Sequence, residues 1–75
     1  MKGIVTETYP DMTPYAFTLL GSADDVEYDF KIYKGKSNFD DLASVVENSR
    51  RRKKRIEVSF VKRNGHRWVQ TAVYV

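Results

Sequence analysis

Apolar and polar residues alternate with period two over several short stretches of this chain, and with helical spacing over one. In residues 26–33, Val26, Tyr28, Phe30 and Ile32 alternate with Glu27, Asp29, Lys31 and Tyr33. That is the pattern of a strand buried on one side, so the first set is expected in the core and the second facing out. Residues 2–9 are rich in β-branched side chains and read as a first strand, residues 15–20 as a second. Pro10 and Pro14 bracket a loop, residues 21–25 read as a turn, and Gly35 ends the third strand.

Ser37 opens a helix signature, with Asp40 three residues later as its capping partner. Asp40 and Asp41 also lie in the first turn, where the helix dipole favours negative charge. Phe39, Leu42, Ala43, Val45 and Val46 fall on one stripe at helical spacing. The helix is expected to fade between Asn48 and Arg52. Beyond it, Asn64-Gly65 is the preferred pair for a two-residue type I′ hairpin turn, whose two positions both need positive φ. Counting from that turn sets Arg63 opposite His66. It makes Phe60–Val69, Val58–Thr71 and Ile56–Val73 the core pairs, with Val61–Trp68, Ser59–Gln70 and Glu57–Ala72 on the other face.

The element order is therefore β-β-β-α-β-β in a chain of 75 residues, enough for a single domain spanning residues 1–75. The expectation is a mainly β protein with one helix, folded as a small five-stranded antiparallel Greek-key barrel. In order and hairpin placement the chain resembles the oligonucleotide/oligosaccharide-binding (OB) fold, whose helix lies between strands three and four. The resemblance implies a ligand face on strands two and three, flanked by the loops joining strands one to two and four to five. Here those loops are residues 10–14 and 62–67. It also makes strands three and five neighbours, which would bring Tyr33 and Trp68 onto one surface.

Composition sharpens the picture. A domain this small buries only about 60% of its unfolded surface, so its core has to be dense in large apolar groups. Five Tyr, four Phe and one Trp supply them. Hollowing that core into a substrate pocket would cost stability; a grooved outer surface would not. Cysteine is absent, which excludes disulfides and thiolate metal sites. No apolar run approaches the roughly 18 residues of a membrane span. The N-terminal residues turn acidic too early for a signal peptide, so the expected location is cytoplasmic.

Charge is the strongest hint of function. Residues 1–49 carry four cations against nine acids, net −5, whereas residues 50–75 carry nine cations against Glu57 alone, net +8. Six of the nine are consecutive: Arg50, Arg51, Arg52, Lys53, Lys54 and Arg55. Cations at a helix C-terminus complement its dipole, but one or two would suffice, and six adjacent ones repel each other. Four are Arg, the side chain suited to bidentate phosphate contact. Lys62, Arg63 and Arg67 add three more around the hairpin tip, where cations also serve to discourage sheet-to-sheet association. Trp68 lies on the outer face in this register, either covered by a packed element or open as a stacking platform for a base. Tyr33, outward on strand three, and Tyr74 are weaker candidates for the same role. Outward Glu27 and Asp29, with Asp11 in the first loop, would repel phosphate from the usual face.

Support for catalysis is thin. His66 is the only histidine and has no carboxylate at a fixed spacing to orient it; Ser and Thr lack a positioned base, and no Gly-rich phosphate loop is present. No metal ligand set or cofactor motif can be assembled. The expectation is a non-enzymatic nucleic-acid-binding domain favouring single-stranded DNA or RNA. Its phosphate contacts would come from the basic run and hairpin tip, with stacking on Trp68 and Tyr33. The competing expectation is an interaction or inhibitor module that docks its basic C-terminal part on an acidic protein surface.

Overall fold

Three consecutive antiparallel strands run β1 (Lys2–Tyr9), β2 (Tyr15–Gly21) and β3 (Glu27–Ile32). They lead into a single helix, α1 (Phe39–Arg52), and a hairpin of β4 (Ile56–Arg63) and β5 (His66–Tyr74). The computed structural model describes all 75 residues. The strands close into a barrel in the order β1-β2-β3-β5-β4, an arrangement consistent with an OB-like fold. Closure is mixed rather than wholly antiparallel: β3 and β5 run parallel where Lys31 meets Trp68, because α1 carries the chain across before β4 turns back into β5.

The core is a cluster of 12 buried residues in which Phe17 and Phe30 stack at 5.3 Å between ring centroids. Phe60 meets Phe30 edge-on at 5.1 Å. Leu42 and Val46 bring the apolar stripe of α1 into the same cluster, with Phe39, Ala43 and Val45 packed at its margin. Each fully buried side chain of this size stabilises the fold by about 1.5–3 kcal/mol.

Two bulges shape the barrel. On β1 the register slips at Thr6, and the neighbouring Val5 N–H donates to Ser49 Oγ at 3.0 Å. Ser49 in turn donates to the Lys54 carbonyl at 2.7 Å, so one buried hydroxyl ties β1 to the last turn of α1 and to the chain leaving it. On β5 the extra residue is Gln70, since Phe60 faces Val69 but Ser59 faces Thr71. Such a residue bends and twists its strand, which a small closed sheet requires.

The second bulge overturns part of the expected hairpin register. From Arg63–His66 to Phe60–Val69 the pairs are as expected. Beyond them, Val58 pairs with Ala72 rather than Thr71, and Ile56 with Tyr74 rather than Val73. The outer pairs become Ser59–Thr71 and Glu57–Val73. One inserted residue moves every later side chain to the opposite face, and accordingly Ala72 is buried while Val73 is exposed.

Two local expectations also fail. Asn38, not Ser37, is the residue at the N-cap of α1, and no side chain caps the helix there. The acids in its first turn still complement the dipole. Val26 is outside β3 and exposed, because Asp25 takes a left-handed conformation (φ 55°) that turns the chain just before the strand. Tyr33 falls just past the other end of β3.

Candidate nucleic-acid interface

Trp68 and Tyr33 share one groove on the outside of the barrel. The Asn64-Gly65 turn has positive φ at both positions (53° and 79°), as a type I′ hairpin demands, and it holds Trp68 opposite Val61 on the outer face. The parallel contact between Lys31 and Trp68 then sets Tyr33 beside the bulged Gln70. The groove, about 430 Å³, is lined by Tyr33, Lys36, Val61, Arg63, Trp68 and Gln70 among others. Tyr33 is 65% exposed. Trp68 is half-buried and fixed by two contacts: its Nε1–H donates to the Arg63 carbonyl at 3.3 Å, and His66 lies edge-on at 6.5 Å. The groove thus gathers two aromatic side chains, Tyr33 and Trp68, and two cations, Lys36 and Arg63.

The basic run does not form one surface. All six side chains are exposed, but Arg50, Arg51 and Arg52 lie on successive positions of the last helical turn and point about 100° apart. Arg50 reaches Glu47 at 3.6 Å, while Arg51 donates to Asn48 Oδ1 at 3.0 Å. Lys53 caps the helix in a left-handed conformation, with φ 54°. Lys54 Nζ stands 5.3 Å from the ring centroid of Tyr74. Arg55 and Arg63 bracket β4, so eight steps of about 3.3 Å put them roughly 26 Å apart. The largest dimension of the whole molecule is 29 Å. The run and the hairpin tip therefore lie near opposite ends of the barrel.

Within the tip, Lys62 is exposed, whereas Arg67 is half-buried and turned toward β3. Its guanidinium lies 5.0 Å from the centre of the Tyr28 ring, and Nη1 donates to the Asp29 carbonyl at 3.4 Å. Tyr28 also donates a short hydrogen bond to Asp24. That bond lowers the Asp24 carboxyl below its ordinary range, helped by the Val26 N–H, and raises the Tyr28 hydroxyl above its own. Arg67 is thus already engaged in closing the barrel, which distinguishes it from Arg63.

The face of strands two and three is acidic, as expected. Asp29 accepts from Thr18 Oγ1 at 2.9 Å and Glu27 from Thr6 Oγ1 at 3.3 Å, and both carboxylates remain exposed. Beside them, near the loop of residues 10–14, a shallow hollow of about 270 Å³ is lined by Tyr9, Met12, Ala16 and Lys31, with Asp29 at its edge.

Other polar clusters are structural. Glu47 accepts from Tyr15 at 2.8 Å and from Thr8 at 3.3 Å, joining α1 to the β1–β2 end of the barrel. Burial, then the bond to Glu47, pushes the Tyr15 hydroxyl far above the ordinary tyrosine range. His66 is exposed at the hairpin tip, and no three His, Cys, Asp or Glu side chains converge to hold a metal ion. No helix is long and apolar enough to cross a membrane.

Lys36 and Gln70 are the groove residues that pattern reading does not single out. A signal for Lys36 exists in hindsight, since Gly35 lets the chain fold back beneath Tyr33. Gln70 has none, because nothing in the residues around it announces a bulge. Comparison of the chain with protein families, with curated proteins and with solved structures finds no match.

Proposed function

We propose that this protein is a small OB-like nucleic-acid-binding domain that holds single-stranded DNA or RNA in the groove between β3, β5 and β4. The observation that carries the reading is that Tyr33, Trp68, Lys36 and Arg63 all line one groove. Aromatic faces accept any unstacked base, each stacking contact being worth about 1–3 kcal/mol, and flanking cations hold the phosphates without reading sequence. The ring of Trp68 is oriented before any ligand arrives, by its bond to the Arg63 carbonyl, which lowers the ordering cost of binding. Duplex is the poorer ligand: the only helix presents Asp40 and Asp41 at its N-terminal turn, where a recognition helix would meet the major groove. The acids Glu27 and Asp29 on β3 move the site away from the face that OB-like barrels ordinarily use.

Trp68 reports on its own role. Titration with an unlabelled oligothymidylate or oligouridylate should quench its fluorescence. Trp68→Ala should cost about 1–3 kcal/mol of binding with a modest loss of melting temperature. A Trp that served only the core would instead cost about 3–5 kcal/mol of stability on truncation. Binding of the folded Trp68→Ala variant at wild-type strength would reject the groove. Failure of the wild type to bind any oligonucleotide, with capture by an acidic protein surface, would favour the interaction-module reading.

A further inference from the structure

A second cluster of aromatic and cationic side chains lies at the rim of the barrel where α1 ends. The bulge at Gln70 turns Tyr74 off the outer face and pairs it with Ile56, yet Tyr74 remains 47% exposed. Its phenol oxygen accepts from Asn48 Nδ2 at 3.1 Å, and the Oδ1 of that same Asn48 accepts from Arg51 at 3.0 Å. Lys54 stands over the ring. Like the groove, the rim combines an aromatic ring held by a hydrogen bond with two nearby cations, Lys54 over the ring and Arg51 on the Asn48 that bonds it. The helix dipole explains why cations gather in the last turn of α1. It explains neither the exposure of Tyr74 nor the attachment of Lys54, which lies beyond the helix.

The spacing of the two clusters matches a strand of nucleic acid. Gln70 is bulged, so the separation of Trp68 from Tyr74 is that of their β4 partners Val61 and Ile56, five steps, about 17 Å at roughly 3.3 Å per residue. Stacked nucleotides rise about 3.4 Å each, so about six, counting both ends, would span the gap. The outer face between the clusters carries Ser59, Thr71, Val61 and Val73, with Glu57 as its only acid. A path across β2 and β3 would meet both Glu27 and Asp29.

Resting on the reading above, the geometry points to a second nucleotide subsite formed by Tyr74, Lys54 and Arg51. One single strand then lies lengthwise along β5, from the groove over the rim, and does not cross β2 and β3. Four cations contact its phosphates, two at each end: Lys36 and Arg63 in the groove, Lys54 and Arg51 at the rim.

The test is a length series. Fluorescein-labelled oligothymidylates of 4, 8 and 12 nucleotides are titrated at low salt into the wild type, into Tyr74→Ser/Lys54→Ser and into Lys54→Glu. Thermal melting of each variant confirms that it is folded. The 8-mer is expected to bind at least tenfold more tightly than the 4-mer, with the 12-mer adding less than threefold. The double variant should bring the 8-mer down to the 4-mer's affinity and leave the 4-mer unchanged. Lys54→Glu, which keeps the Tyr74 ring, should weaken the 8-mer alone. Oligonucleotides that bind without a gain between 4 and 8, or a double variant that weakens both lengths equally, would overturn the subsite while leaving the groove standing. No binding at any length would overturn both.

Discussion

A β-carbon built on Gly35 would stand 2.7 Å from the Tyr33 ring, so the missing side chain at this position decides where the exposed tyrosine lies. The obstructed atoms are the far end of a side chain and not backbone. Gly35→Ala should therefore displace the ring and leave the fold intact. The expected result is a stability change below about 1 kcal/mol by chemical denaturation, with measurably weaker oligonucleotide binding. Unchanged binding would mean that Tyr33 contributes no contact. Ser49 illustrates the other kind of single-residue control. Its fully buried hydroxyl has a partner on each side, Val5 N–H and the Lys54 carbonyl, and no buried side-chain polar atom in the protein is left without one. None of this could be read from the sequence. A serine late in a helix and a glycine after a strand have many ordinary reasons to be there.

Among the elements, legibility followed local chemistry. Asn64-Gly65 specifies its own backbone conformation, so the hairpin and its first four pairs, out to Phe60–Val69, could be counted off directly. The count failed at Gln70 because a bulge is set by the curvature of the closed sheet and not by the residues that form it. The cap of α1 was misassigned for a related reason. Several polar residues precede Phe39, and which of them terminates the helix depends on how the chain arrives from β3. Replacing Gly65, whose φ is 79°, by a β-branched residue tests the hairpin. Gly65→Val should destabilise the protein by more than about 1 kcal/mol in a denaturant melt. A neutral result would show that the turn does not hold the register on which the placement of Trp68 depends.

At the scale of the whole molecule, the barrel order and the uneven charge were legible, and their combination was not. Strands β3 and β5 are neighbours as the resemblance implied, and Tyr33 and Trp68 meet on one surface as a consequence. The linear run of six cations, by contrast, reads as one patch only on paper. Helical geometry spreads three of them around an axis, and β4 separates the run from the hairpin tip by most of the length of the protein. The result is two small basic and aromatic clusters with a nearly neutral strip between them, and with the acids Glu27 and Asp29 outside that strip on β3. On the function proposed above, such a layout suits an extended, flexible strand better than a compact polyanion.

Affinity for labelled single-stranded and duplex oligonucleotides of equal length, measured over a series of salt concentrations, tests the account most directly. Neutralising four phosphates of a single strand, through Lys36, Arg63, Lys54 and Arg51, predicts a log K that falls with log salt at a slope of about −3. The single strand should bind more tightly than the duplex at every salt concentration. Duplex preferred over single strand, or no binding to either even at the lowest salt, would contradict it.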